Sequence, residues 1–444
     1  MRRLATFARL GRDGLAGLEQ AWARFWFQSQ STAPLELARI GIGGALLLHY
    51  AMASPYLFEV WGDTGWMPRA LALQHFDDPW RQSVFFYFTA PWQWVAFHAL
   101  FLLCCTAFML GWRTTWIKWI VLVGQISYAN RNEPVSYGVD KVLACLLIIL
   151  CVAPIGRALS LDRVRAVRAA KRNCLRSVPP SFSSAWAGAC TRLMQIQMAV
   201  LFLHSGLGKR GDDWWSGDAI WSVFATNEFY SPFLLDLLSR QYWLVNAGTY
   251  MTILIEIAYP FLIWQRRSRP YLLAAALALH AAFAALMAFY YFSFIMMMGH
   301  MGFVRPEWLQ RLGGWWKSRI GKIEITYDGR CSFCVRSLAW LLAFDGLQQI
   351  SVRDLRTDPG PAVADAPLEQ SLYLVPPDGQ ALRGFDAVRY VVLRVPGLWW
   401  LLPLFHVPVV SRLIGHSIYD RVAAKGGRLP SAESSLPPRV RVKP

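Results

Sequence analysis

The chain has 444 residues, 55% of them hydrophobic and only 16% charged, which leaves too little polar surface to cover a soluble globule of this size. A formal net charge of +17 would suit a nucleic-acid binder, but the basic residues sit in short loops between apolar blocks. Anionic headgroups and insertion topology account for them there, so membrane lipids, and not nucleic acid, are the expected partner. In chain order the first element is an N-terminal segment, residues 1–30, with Arg2, Arg3, Arg9, Arg12 and Arg24 among Leu, Phe and Trp. It has no unbroken apolar core ahead of a cleavage site, so it reads as an interfacial segment and not as a signal peptide.

Predicted spans follow at Leu35 to Ala53, Trp92 to Leu110, Thr115 to Ala129, Val139 to Ile155, Thr191 to Leu207 and Asn246 to Trp264, then a long apolar stretch from Tyr271 to Val304. That stretch exceeds the roughly 20 residues one helix needs, so it reads as a hairpin, or a span plus a re-entrant segment, turning near Ala288 to Tyr291. Basic residues of the N-terminus, Arg113 with Lys118, the Arg157 to Arg176 loop and Arg266 to Arg269 alternate with acidic stretches around Glu59 to Asp78 and Asp212 to Asp236. About eight crossings then return the chain to the cytoplasm at Arg305. The predicted fold is therefore an α-helical polytopic membrane bundle over residues 31–304, a linker at 305–321, an α/β domain at 322–425 on the cytoplasmic side, and a Pro- and Ser-rich disordered tail at 426–444.

From residue 322 the pattern is soluble in character. Ile323 to Tyr327 alternates into an Asp-Gly turn, Cys331 to Phe344 has helical apolar spacing, and Gln349 to Val352 reads as a strand. A hairpin around the PPDG turn and a helix from Phe385 to Arg394 complete a βαβ unit followed by ββα. Six of the eight cysteines lie in or near apolar blocks; Cys331 and Cys334 form a CxxC where strand gives way to helix. A helix start favours thiolate, so Cys331 is the expected attacking sulfur, and Cys334, three residues on and one turn inward, the expected resolving one. Arg330 adds positive charge; Asp328 either accepts a proton or caps the helix. Zinc would need two further ligands where only His406 and His416 are available, so no metal is expected, and an inert buried pair is the other bland alternative.

In the membrane part, His49, His98, His204, Glu256, His280 and His300 each need a partner, since ionisable groups are costly inside apolar spans. Lys209 follows His204 at the end of a span and precedes Asp212, Asp213 and Trp214. It is a candidate base if partly desolvated, with His204, Asp213 and Trp214 beside it, or else an interfacial anchor snorkelling to the headgroups.

Two resemblances extend this reading. The run Tyr327-Asp328-Gly329-Arg330-Cys331-Ser332-Phe333-Cys334 resembles the DxxCxxC opening of the DCC family, thioredoxin-like thiol-disulfide oxidoreductases. The likeness continues through Gly384-Phe385-Asp386-Ala387 and ends near Ile418 to Arg421. It implies a thioredoxin-like fold and exchange with a dithiol or disulfide partner, either a protein or a small thiol. The run Phe202 to Lys209, with Asp213-Trp214 and Gly217, is similar to a stretch of the vitamin K-dependent γ-carboxylase family, whose bacterial relatives share the HTTM (horizontally transferred transmembrane) domain. Asn130-Arg131-Asn132, Gly138-Val139-Asp140, Pro154 and Leu159 to Asp162 also look shared. The resemblance implies that Lys209 matches the proposed base that deprotonates reduced vitamin K, and hence a quinone-like cofactor; a neighbouring lysine of that family is Gly208 here. The expected function is a membrane-bound thiol-disulfide oxidoreductase, an enzyme coupled to a quinone-like or other lipid-soluble substrate. The alternatives are a carboxylase- or epoxidase-like enzyme whose cofactor the dithiol recycles, and a transporter or anchor.

Overall fold

The structure, a computed structural model, describes residues 17–75, 81–170, 183–225, 232–321, 323–328, 332–345, 349–354, 373–376 and 382–406. It divides into two compact units, residues 1–162 with 181–309 and residues 163–180 with 310–444.

In the first unit, helix α1 covers 17–27, β1 is Gln30–Ser31, and α2 runs Ala33–Ala53 with a proline in its first turn, where the missing N–H has no partner to lose. Short helices α3 (Leu57–Trp61) and α4 (Arg69–His75) lead to α5 (Pro91–Leu110), α6 (Thr114–Arg131) and α7 (Gly138–Val152); α8 (Leu161–Ala170) begins here, and its residues from 163 on belong to the second unit. Strand β2 (Ser183–Ser184) pairs with β1 and opens α9 (Ala185–Gly208), whose N-cap Ser184 accepts a hydrogen bond from Ala187 N at 3.0 Å. Then come α10 (Asp212–Ser216), α11 (Ala219–Ala225), α12 (Pro232–Arg240), α13 (Tyr242–Leu262), α14 (Arg269–Met287) and α15 (Tyr290–Gly299). The long apolar stretch does turn at Ala288, which takes the left-handed conformation between α14 and α15.

All seven predicted apolar stretches are helical, the last as the two helices α14 and α15, but they are not equal. Three, Ala33–Trp61, Pro91–Leu110 and Arg269–Met287, are long and apolar enough to cross a membrane among the described residues. At 15 and 10 residues, α7 and α15 reach about 22 and 15 Å, less than the roughly 30 Å hydrocarbon core. Inside the bundle one core joins Leu35, Ile42, Leu46, Phe85, Phe108, Leu143 and Met198. The outside is apolar too: Leu103 is 68% exposed, and Leu100, Ile120, Val123, Val200 and Leu254 also face outward. A bundle that turns this many large apolar side chains outward has acyl chains as its fitting solvent.

Buried charge ties the helices together. Arg39 and Glu36, one turn apart on α2 and both 0% exposed, form an ion pair at 3.5 Å. The Arg39 guanidinium donates to the carbonyls of Phe108 and Met109 at 2.6 Å and of Leu159 at 2.5 Å, while Glu36 accepts from the amides of Arg157 at 2.8 Å and Ala158 at 2.5 Å. The pair thus satisfies carbonyls left over at the end of α5 and a loop that no helix bonds. Arg131 does the same for the carbonyls of Met67 and Gly62, and Asp162 caps α6 by accepting from Thr114 N at 2.8 Å.

The second unit is built on a four-stranded sheet in the order β4-β3-β5-β6, where β3 is Ile323–Tyr327, β4 Ile350–Asp354, β5 Tyr373–Val375 and β6 Leu382–Arg383. Strands β3 and β4 are parallel, with Ile325 opposite Val352; β5 is antiparallel to both β3 and β6. The segment 305–321, read from sequence as a linker, is instead mostly helix α16 (Pro306–Ile320). Its Trp316 side chain donates to the carbonyl of Arg394 at 2.8 Å. Helices α17 (Ser332–Phe344), α18 (Phe385–Arg394) and α19 (Leu402–His406) complete the described part. Gly384 begins α18 at φ +61°, a conformation that a side chain would strain, which gives the Gly384-Phe385-Asp386 run a structural reason. The predicted tail at 426–444 and the Ile418 to Arg421 match lie outside the described residues.

Candidate functional site

Two places bear on chemistry, one in each unit. In the second unit β3 is buried at Ile323, Ile325, Thr326 and Tyr327 and is followed by buried Asp328; the first turn of α17 holds Cys334. Cys334 is 0% exposed and shares one helix face with buried Leu338, Leu341 and Leu342, a spacing of four, seven and eight residues. The Cys334 side chain is therefore part of the unit's buried interior, and the carboxyl that follows β3 is buried as well. Arg330 and Cys331 lie outside the described residues. Burial and the nearby Arg389 guanidinium hold the His406 imidazole below its usual range. Among the described residues no three His, Cys, Asp or Glu side chains converge as a metal site would require.

In the first unit Lys209 follows the last turn of α9. Its ammonium group donates to Glu256 Oε2 on α13 at 2.5 Å, to Ser205 Oγ at 2.9 Å and to the Ser205 carbonyl at 3.3 Å, and lies 4.8 Å from the Trp214 ring centre. Lys209 and Glu256 side chains are 12% and 9% exposed. Gly206 lets α9 and α13 approach this closely, since a Cβ there would run into Ile257 and Glu256. All three N–H bonds of an ammonium are thus engaged, so any proton leaving this group has Glu256 as its nearest acceptor.

Of the sequence candidates, Trp214 joins Lys209, and Glu256 is the partner that the sequence left unassigned. His204 and Asp213 do not join them: both are exposed, and Asp213 takes part only through its backbone carbonyl, which accepts from Asp218 N. One helical turn is 3.6 residues, so His204, five before Lys209, falls on a different face. Three other histidines meet side chains inside the bundle, two of them buried (His98 and His300) and one half-buried (His49). His98 lies between Ser54 Oγ (2.8 Å) and Tyr128 Oη (2.7 Å), His49 stacks on Tyr291 at 4.3 Å, and His300 Nδ1 meets Tyr259 Oη at 2.7 Å. Sequence reasoning missed Glu36 and Arg39, although opposite charges three residues apart inside an apolar span are a readable signal. Asn130-Arg131-Asn132 and Asp140 turn out to hold loops and helix starts: Asn132 Nδ2 donates to the Val60 carbonyl at 2.5 Å, and Asp140 accepts from Gln125 at 3.0 Å.

A helical bundle with an apolar exterior, followed by an α/β unit with a cysteine buried in the first turn of a helix, defines a membrane-type protein with a second, α/β domain. Residues 27–308 match the HTTM domain family, and residues 325–430 match the DCC1-like thiol-disulfide oxidoreductase family. The chain belongs to the HTTM domain family and carries the DCC1-like domain behind it. No curated protein and no solved structure matches it.

Proposed function

We propose that the chain is a multi-pass membrane thiol-disulfide oxidoreductase that works through Cys331 and Cys334. The observation that carries the reading is the placement of Cys334, wholly buried in the first turn of the helix that links parallel β3 and β4, inside a match to a thiol-disulfide oxidoreductase family. The sheet order and directions are those expected of a thioredoxin-like βαβ plus ββα unit. In the proposed cycle the Cys331 thiolate attacks a partner disulfide and expels one partner thiolate. The Cys334 thiolate then attacks Cys331 Sγ, releasing the second partner thiolate and leaving the Cys331–Cys334 disulfide; two electrons pass to the partner. Arg330 favours the first thiolate, and Asp328, buried at the end of β3, takes the proton of Cys334. Cys334→Ser is expected to accumulate a mixed disulfide on Cys331, seen as a reductant-sensitive adduct in intact-mass analysis. An additional Cys331→Ser change abolishes it, and a pair that never forms an adduct defeats the proposal.

For the bundle we infer a lipid-soluble, quinone-like reactant whose protons pass through Lys209 and Glu256. Their close, largely buried ion pair beside Trp214 supports this over an anchor lysine, which would extend to the headgroups unpaired. Lys209→Ala and Glu256→Gln are each expected to slow re-reduction of the Cys331–Cys334 disulfide by a reduced quinone, which gives up two electrons and two protons, by about 10²-fold or more while leaving exchange with a small disulfide unchanged. If a reduced quinone does not reduce the Cys331–Cys334 disulfide in the unaltered chain, the coupling is absent.

A further inference from the structure

His280 of α14 and His300, just beyond α15, are 2% and 1% exposed, with ring centres 5.7 Å apart. Three of their four ring nitrogens, His280 Nδ1 and Nε2 and His300 Nε2, have no hydrogen-bond partner, and buried Ser293 Oγ on α15 has none either. The fourth, His300 Nδ1, is held by Tyr259 Oη. Around the pair stand Phe202, Phe283 and Phe292. Buried imidazole nitrogens normally find partners, so a cluster of orphans in so apolar a setting marks the place of a bound species.

We propose that His280 and His300 bind a monovalent copper ion. With metal–nitrogen bonds of about 2.0 Å, each ring centre stands roughly 3.2 Å from a shared ion, so two rings on one ion lie at most about 6.4 Å apart; 5.7 Å falls inside that limit. Tyr259 on His300 Nδ1 is the outer partner that a metal-ligating histidine characteristically has, leaving Nε2 to face the ion. Zinc and the hard divalent ions need more His, Cys, Asp or Glu ligands than converge here among the described residues. Copper(I) accepts two or three soft ligands, thioethers included. Buried Met198 supplies one nearby: its Sδ occupies the space where a side chain on Gly299, the residue before His300, would begin. The aromatic rings add π-electron density that compensates part of the single positive charge.

The test uses the full chain as Cys331→Ser/Cys334→Ser, which removes the dithiol as a competing copper ligand and makes the result independent of the redox proposal. Purified in detergent and offered Cu(I) against bathocuproine disulfonate, it is expected to retain about one copper per chain. X-ray absorption on that sample is expected to show imidazole nitrogen neighbours with at most one sulfur. His280→Leu and His300→Leu each abolish retention, and Tyr259→Phe weakens it about tenfold. Absence of retained copper, a sulfur-only shell from the buried cysteines, or unchanged retention in a monodisperse His280→Leu protein would overturn the proposal. Should the leucine variants fail to fold, the absorption spectrum of the histidine-intact protein decides alone.

Discussion

Glu36 and Arg39 show how a single pair of side chains can organise a helix bundle. Arg39 satisfies three carbonyls on two other segments, and Glu36 two amides, so the pair is a structural junction as much as an ion pair. Removing one member strands the other charge in a dry interior, and Arg39→Ala is expected to cost about 3–5 kcal/mol, read as a lowered thermal unfolding midpoint in detergent. An apolar double replacement, Glu36→Leu with Arg39→Met, removes both charges yet leaves the carbonyls of Phe108, Met109 and Leu159 unpaired. It is therefore expected to stay well below the unaltered protein, in contrast to an isolated buried ion pair. The surface pair Arg353–Glu324 joins two strands and is more than a third exposed on each side, so its loss moves stability by less than about 1 kcal/mol.

At the scale of elements, the α9–α13 contact decides whether Lys209 has a partner. Gly206→Leu is expected to wedge α13 away and separate Lys209 from Glu256, with quinone-coupled activity falling as far as in Glu256→Gln although neither charged residue has changed. Gly208→Ala, where no atom lies within 4 Å of the added group, is the matched control and should leave activity unaltered. The periodicity of apolar residues was enough to find these two helices, the α14–α15 turn and the succession of strands and helices after residue 322, because each follows from local geometry. Its yield at the Lys209 site was mixed. Trp214 lies five residues along the chain and was legible, whereas Glu256 is 47 residues away and reaches Lys209 only through helix packing. His204 and Asp213 are near in sequence but are turned elsewhere by the helix and the loop that follows it.

For the whole molecule, the number of crossings sets which side the dithiol faces. Basic loops place it on the cytoplasmic side if the α14–α15 hairpin crosses twice, yet α15 by itself reaches only about half the hydrocarbon thickness. Its four-residue 3₁₀ continuation, His300–Phe303, adds about 8 Å. A membrane-impermeant thiol reagent is expected to label Cys331 only in opened cells; labelling of intact cells would mean that the hairpin returns to the side it entered from.

Composition and periodicity by themselves determined that this is a membrane protein of many apolar helices followed by an α/β unit with a CxxC, since solvent and helix geometry act on every residue locally. What only the tertiary structure decided is which polar groups meet: Arg39 with distant carbonyls, Lys209 with Glu256, His280 with His300. Those meetings depend on helix rotation and on a few close approaches, and inside a nonpolar medium the cost of leaving a polar group unpaired makes each of them decisive.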